Sequence, residues 1–185
     1  MLTKLNHKII NSENIIFYLI ILLPITLVSG PFLSDLSISI ICLLFFYITY
    51  NKRISFYFTN NFSKAFFIFF TILIIASIFS VDSLISFKKI IFFFRFWIFA
   101  LAVWHIFNLR KTKLINNLIY TFTLTFIILI VDGYYQFHFK ENIFGWPIQG
   151  SRVSSLFKDE LILGSYLSRL LPVYFALLVY SNFSK

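Results

Sequence analysis

The sequence predicts an all-α, polytopic transmembrane helical bundle of about six spans with a cytoplasmic N-terminus, and three observations carry that prediction. Of 185 residues, 59% are hydrophobic and 12% charged, with a mean hydropathy of +0.88. Soluble domains sit at roughly 45–50% apolar and about 25% charged, so a soluble enzyme, a nucleic-acid-binding domain and a disordered tail are excluded. Charge is absent from 14–34, 36–51, 65–81 and 114–131, while Arg95 alone interrupts 90–109 and Arg169 alone interrupts 161–184. A helix crosses a hydrocarbon core of roughly 30 Å with about 20 such residues. Finally, the runs are continuous, whereas strands of a membrane barrel are about 10 residues long and alternate with period two.

Each span follows from its borders. The first, 15–30, rises behind Lys8 and Glu13 and ends at Val28-Ser29-Gly30. It is not a cleaved signal peptide, because Glu13 abuts the run and Pro31 follows the one plausible cleavage point. Pro24 inside it is tolerated, since neighbours in a membrane can satisfy the freed carbonyl. The second, 32–50, carries Cys42, the only cysteine, which leaves no internal disulfide or cysteine-based metal site. The third, 64–80, runs from Lys64 to Asp82; the fourth, 90–108, from Lys89 to Arg110; the fifth, 114–132, from Lys113 to Asp132. An outer loop, 133–160, has Gly133, Gly145, Pro147 and Gly150 as breakers and Trp146 as an interface anchor. The sixth span, 161–180, begins behind Asp159-Glu160, whose carboxylates suit a helix N-terminus. One membrane domain, 1–185, is expected. The 27 Phe and 10 Tyr carry no functional weight, because such rings face lipid or neighbouring helices.

Lys and Arg set the orientation. With the N-terminus inside, Lys4, Lys8, Lys52, Arg53, Lys64, Arg110, Lys111, Lys113 and Lys185 are cytoplasmic, nine in all. Lys88, Lys89, Lys140, Arg152 and Lys158, five, lie outside. Nine against five favours this arrangement. The net charge of +9 is then a topology signal, and no nucleic-acid partner is implied.

Few residues offer chemistry. Arg95, mid-run, costs roughly 2.5–3.5 kcal/mol at a span centre. It either snorkels to the outer interface, less than two turns from Lys89, or faces inward to meet an anion. Lys88 and Lys89 with Arg95 make a cationic cluster at the outer leaflet, for lipid headgroups or for a lipid-linked pyrophosphate. His7, His105 and His138 lack a neighbouring carboxylate in sequence or a His-x-x-x-His spacing, so no metal site is expected; His138 is a weak base candidate. Asp159 and Glu160 are adjacent and diverge by about 100° on a helix. No complete catalytic constellation is present.

The segment 132–175 resembles the middle of the O-antigen ligase and O-antigen polymerase family, polytopic glycosyltransferases acting on polyprenyl-diphosphate-linked glycans. Tyr134-Tyr135-Gln136 matches the family's aromatic span end with Gln, and Phe144-Gly145 its turn. Arg152-Val153-Ser154-Ser155-Leu156-Phe157 matches an Arg-x-Ser-Gly-x-Phe-like segment, with Ser155 standing where Gly is usual, and Gly164 to Leu167 match its helix start. The stretch 78–96 is similar to the family's short outer segment. By this resemblance the chain takes part in glycan transfer from polyprenyl diphosphate to lipid A-core or a glycan chain in the bacterial inner membrane, for lipopolysaccharide assembly. The resemblance implies no cofactor, and a diphosphate held by Arg152, Arg95, Lys88, Lys89 and Lys158, with Ser154 and Ser155 donating further bonds beside Arg152. It also implies an N-terminal half whose C-terminal half, with the family's essential outer-loop His, lies elsewhere. The leaving group is already a diphosphate, so cationic side chains can stabilise its developing charge. The competing reading is a non-enzymatic membrane scaffold or half of a lipid or glycan transporter; transporters place polar groups near the midplane, whereas these charges gather at the outer interface.

The orientation is tested by reporter fusions. Fusions after Lys64 and Lys113 should report cytoplasm and fusions within 140–158 periplasm; the reverse pattern discards the N-in arrangement.

Overall fold

The computed structural model describes residues 2–148, 150–158 and 160–183, with side chains between residues 8 and 182. Asp159 and Lys185 lie outside the described residues, as do the side chains of Lys4 and His7. The chain is all-α. Helices α1 (Leu2–Val28), α2 (Pro31–Lys52), α3 (Phe56–Thr59), α4 (Asn61–Ile78), α5 (Ser83–Phe139) and α6 (Leu163–Phe183) follow one another, with one 3-10 turn at Ser155–Phe157. Among the described residues there is no strand, only an isolated bridge between Glu141 and Pro147. Among the described residues five helices are long and apolar enough to cross a membrane, so the chain is a membrane protein.

At 1.5 Å per residue the 57 residues of α5 would extend about 85 Å, nearly three hydrocarbon cores. Its backbone leaves helical geometry at Arg110 (φ −143°, ψ 45°), which divides it into arms 83–109 and 111–139. A single-residue break therefore stands where the sequence predicts a short loop between spans four and five. Gly30, at φ +121°, makes the corner between α1 and α2, and Pro31 opens α2 where its missing N–H costs nothing.

The chain divides into two compact units: residues up to 19 with 36–109, and 20–35 with 110 onward. The break at Arg110 falls at their border. In the first unit Phe17, Phe45, Ile41, Ile48 and Leu101 are fully buried. Trp97 packs against Phe67, 5.0 Å between ring centroids, and its indole N–H donates to Ser63 Oγ (3.2 Å). The Ser63 hydroxyl donates in turn to the Tyr57 carbonyl (2.8 Å), tying α3, α4 and α5. Asn60 caps α4 by accepting from the Ser63 amide at 2.8 Å.

In the second unit Val28, Phe122, Phe126, Leu129, Phe157 and Tyr166 form the core. Tyr166 OH donates to the Pro24 carbonyl (2.6 Å), fastening α6 to α1. Helix α5 runs past the predicted end of span five at 132, so the loop is 140–162 and Gly133 is not a breaker but a helical residue. Apolar patterning stops at Asp132, but hydrogen bonding does not. A Cβ on Gly133 would lie 3.2 Å from Leu163 and 3.4 Å from Val153, so glycine there admits the start of α6 and the loop.

Gly133→Leu should therefore destabilise the protein by roughly 1–3 kcal/mol through overpacking, seen as a lower unfolding temperature in detergent. Gly164→Ala, with nothing within 4 Å of the added Cβ, should be neutral or slightly stabilising.

Candidate functional site

The loop of the second unit is built on polar side chains of the last two turns of α5. Asp132 and Gln136, four residues apart, share one helix face, and both are buried, as is Asn142 just beyond the helix. Gln136 Oε1 accepts from the amides of Ser154 (3.0 Å) and Ser155 (2.7 Å). Its Nε2 donates to the Trp146 carbonyl (3.2 Å) and to Ser154 Oγ (3.3 Å). Asn142 Oδ1 accepts from the amides of Phe144 (3.0 Å) and Trp146 (2.8 Å), while its Nδ2 donates to the Ser155 carbonyl (3.1 Å). Asp132 accepts from the Ile143 amide (3.1 Å) and from Ser155 Oγ (2.7 Å). The loop is thus closed on itself before anything else binds to it.

That closure corrects one expectation. Ser154 and Ser155 are fully buried, and both hydroxyls are engaged with the network, so they do not point at a ligand beside Arg152. Ser155 adopts φ +51°, the left-handed conformation that favours the glycine the resemblance expects there. A non-glycine residue costs roughly 1–2 kcal/mol in that region, and the Oγ bond to Asp132 offsets it.

Lys158 lies in the loop, ahead of the sixth helix, which starts at Leu163. It follows the 3-10 turn at φ 56°, ψ −119°, a conformation glycine adopts freely and other residues rarely. Its ammonium lies 5.5 Å over the Trp146 ring, which stacks on Phe144 at 5.4 Å. Lys158 lines two cavities. One, about 390 Å³, has apolar walls that include Ile25, Leu124, Ile128, Leu129 and Trp146. The other, about 530 Å³, is more polar, with Ser29, Ser34 and Glu160 among its walls.

The remaining predicted cations fall in both units. Arg152 is exposed on the loop and lines neither cavity. Lys88, Lys89 and Arg95 belong to the first unit, on the first arm of α5. Lys88 and Lys89 are exposed, and Arg95 is half-buried with its guanidinium 5.1 Å from the Phe96 ring centre. Helix α5 starts at Ser83, so these cations stand on a regular helix, where Lys88 and Arg95, seven residues apart, share a face about 10 Å apart along the axis. Glu160 precedes α6 in the loop rather than on its first turn.

Sequence reasoning missed a buried polar group in the first unit. Lys52 Nζ donates to Glu13 Oε1 (2.5 Å), His105 Nε2 lies 3.2 Å from the same oxygen, and His105 Nδ1 lies 3.1 Å from Tyr57 OH. A carboxylate only accepts, so in neutral His105 Nε2 carries the proton and Nδ1 takes the Tyr57 hydroxyl bond. His105 therefore has a carboxylate partner after all, 92 positions away in sequence. The one usable signal was an acidic residue bordering the first apolar run. Glu13 braces helices: Glu13 and His105 are buried, while Lys52 reaches the carboxylate from an exposed position. Among the described residues no three His, Cys, Asp or Glu side chains gather as a metal site.

No family model matches the chain, and no curated protein or solved structure matches it.

Gln136→Leu should remove the acceptor of two buried amides and cost about 2–4 kcal/mol. The loop 140–162 should become protease-sensitive at temperatures where the parent resists cleavage.

Proposed function

We propose that this chain is a membrane glycosyltransferase component of the O-antigen ligase and polymerase type, and that its second unit holds the polyprenyl-diphosphate-linked glycan donor in the bacterial inner membrane. The observation that carries the reading is that Lys158 lines both an apolar cavity and a more polar one. A donor of this kind is an amphiphile with a hydrocarbon tail, a diphosphate and a glycan. The tail suits the cavity walled by Leu124, Ile128 and Leu129. The diphosphate suits the Lys158 ammonium at the junction, and Ser29 and Ser34 offer hydroxyls on the polar side. The polar cavity falls within the roughly 300–1,000 Å³ of ordinary ligand clefts, and both open to their surroundings, as a long tail and a glycan require. The resemblance supports the same place, because its Arg-x-Ser segment, 152–157, leads directly into Lys158.

In this reading Lys158 stabilises charge on the departing diphosphate as the glycan is transferred, a preorganised cation aimed at where charge develops. Its left-handed backbone is the strain that functional positions tend to hold. Arg152 contributes at longer range, from the solvent side of the same anchored loop. The acceptor, lipid A-core or a glycan chain, and the base that activates its hydroxyl come from outside these residues.

Polyprenyl-diphosphate binding to the protein in nanodiscs is the decisive measurement. Lys158→Ala should weaken it at least tenfold, since a charged hydrogen bond is worth about 1.5–3 kcal/mol, and Arg152→Ala less. Lys158→Gly should bind equally poorly while raising the unfolding temperature, because it removes both the cation and the strain. Binding within twofold of the parent in Lys158→Ala overturns the assignment.

A further inference from the structure

Helix α6 carries a cation that the donor site does not use. Arg169 is the seventh residue of the helix, about 9 Å below its start along a span that runs Leu163–Asn182. It is exposed, on a helix that buries little of its surface among the described residues. Among the described residues no carboxylate pairs with it. A guanidinium on an apolar span is costly, and an anion that meets it lowers that cost. The surrounding groove, about 270 Å³, says which kind. It is lined by Leu27, Ile162, Tyr166 and Leu170, with Ser165 one turn before Arg169 on the same face. Tyr166 OH is already committed to the Pro24 carbonyl, so the polar groups left for a ligand are the Ser165 hydroxyl and the guanidinium. Leu27 of α1 and Ile162, just before α6, are exposed apolar walls of the groove, and Leu170 is half-buried, so a ligand with a hydrocarbon tail suits it.

We propose that Arg169 and Ser165 hold the phosphate of an anionic phospholipid whose acyl chain lies along Leu27, Ile162 and Leu170. Guanidinium recognises a phosphate through parallel N–H donors, a geometry that lysine lacks. An anionic headgroup drawn to this depth neutralises the charge without a second protein. The inference stands apart from the donor reading, because it uses neither Lys158 nor Arg152.

The test is native mass spectrometry of the full chain released from detergent with dioleoyl phosphatidylglycerol or dioleoyl phosphatidylcholine as probe. The parent should retain phosphatidylglycerol at least fivefold better than phosphatidylcholine. Arg169→Gln should lower phosphatidylglycerol retention about tenfold, Arg169→Lys should recover part of it, and Ser165→Ala should lower it two- to threefold with the unfolding temperature unchanged. Retention in Arg169→Gln equal to the parent overturns the proposal. So does loss of retention in Lys158→Ala alone, which would move the lipid to the donor cavities. A dimer that dissociates in Arg169→Gln with lipid retention intact overturns it as well, since the guanidinium would then serve a second copy of the chain.

Discussion

A loop at the end of a membrane helix has to satisfy its own backbone, and in this protein Gln136 stands at the centre of the side chains that do so. Gln136 receives two consecutive amides from one side of the loop and donates to a carbonyl from the other. Neither function survives a change to an apolar residue, and an unsatisfied buried amide costs roughly 1–3 kcal/mol. Asp132 and Asn142 complete the same closure, so the loop 140–162 is positioned by side chains that α5 itself carries. Ser155 in its left-handed conformation, Lys158 after it, and the walls that Trp146 and Leu156 lend to the cavities all inherit their places from that anchoring.

The helices were legible because hydrocarbon thickness demands unbroken apolar runs, and charges mark their ends. Asn61–Ile78 falls within three residues of the run read from sequence at either end. The end of α5 was not legible, for a physical reason: hydropathy measures transfer into lipid, whereas helix propagation needs only backbone hydrogen bonds and a partner for each buried polar group. Tyr134 to Phe139 look like loop by the first measure and are helix by the second. Ser154 and Ser155 were misread for a related reason. A hydroxyl beside an arginine looks available in sequence, and its buried acceptor, Asp132, lies 23 positions before Ser155.

The two units bury polarity in different ways. In the first, Glu13 gathers a lysine and an imidazole around one oxygen, so charge is balanced inside. Such pairs add little net stability over apolar packing, but they are intolerant of losing a member, which gives the helices one register. In the second, the buried groups around Gln136 are amides and hydroxyls apart from Asp132, and the cations stay outside. An interior that is already satisfied does not compete for the surface cations Lys158 and Arg169.

Strain separates the two cations. Arg169 sits on a regular helix and carries no backbone cost. Lys158 carries strain in the backbone itself, since φ 56° with ψ −119° is a glycine conformation. A solvated lysine could move to either neighbouring position without that cost, because long charged side chains reach several ångströms in any direction. Glycine at this position would close the same turn without strain. Lys158 lines both the apolar cavity and the polar one, and the proposed donor site is what would use its ammonium there.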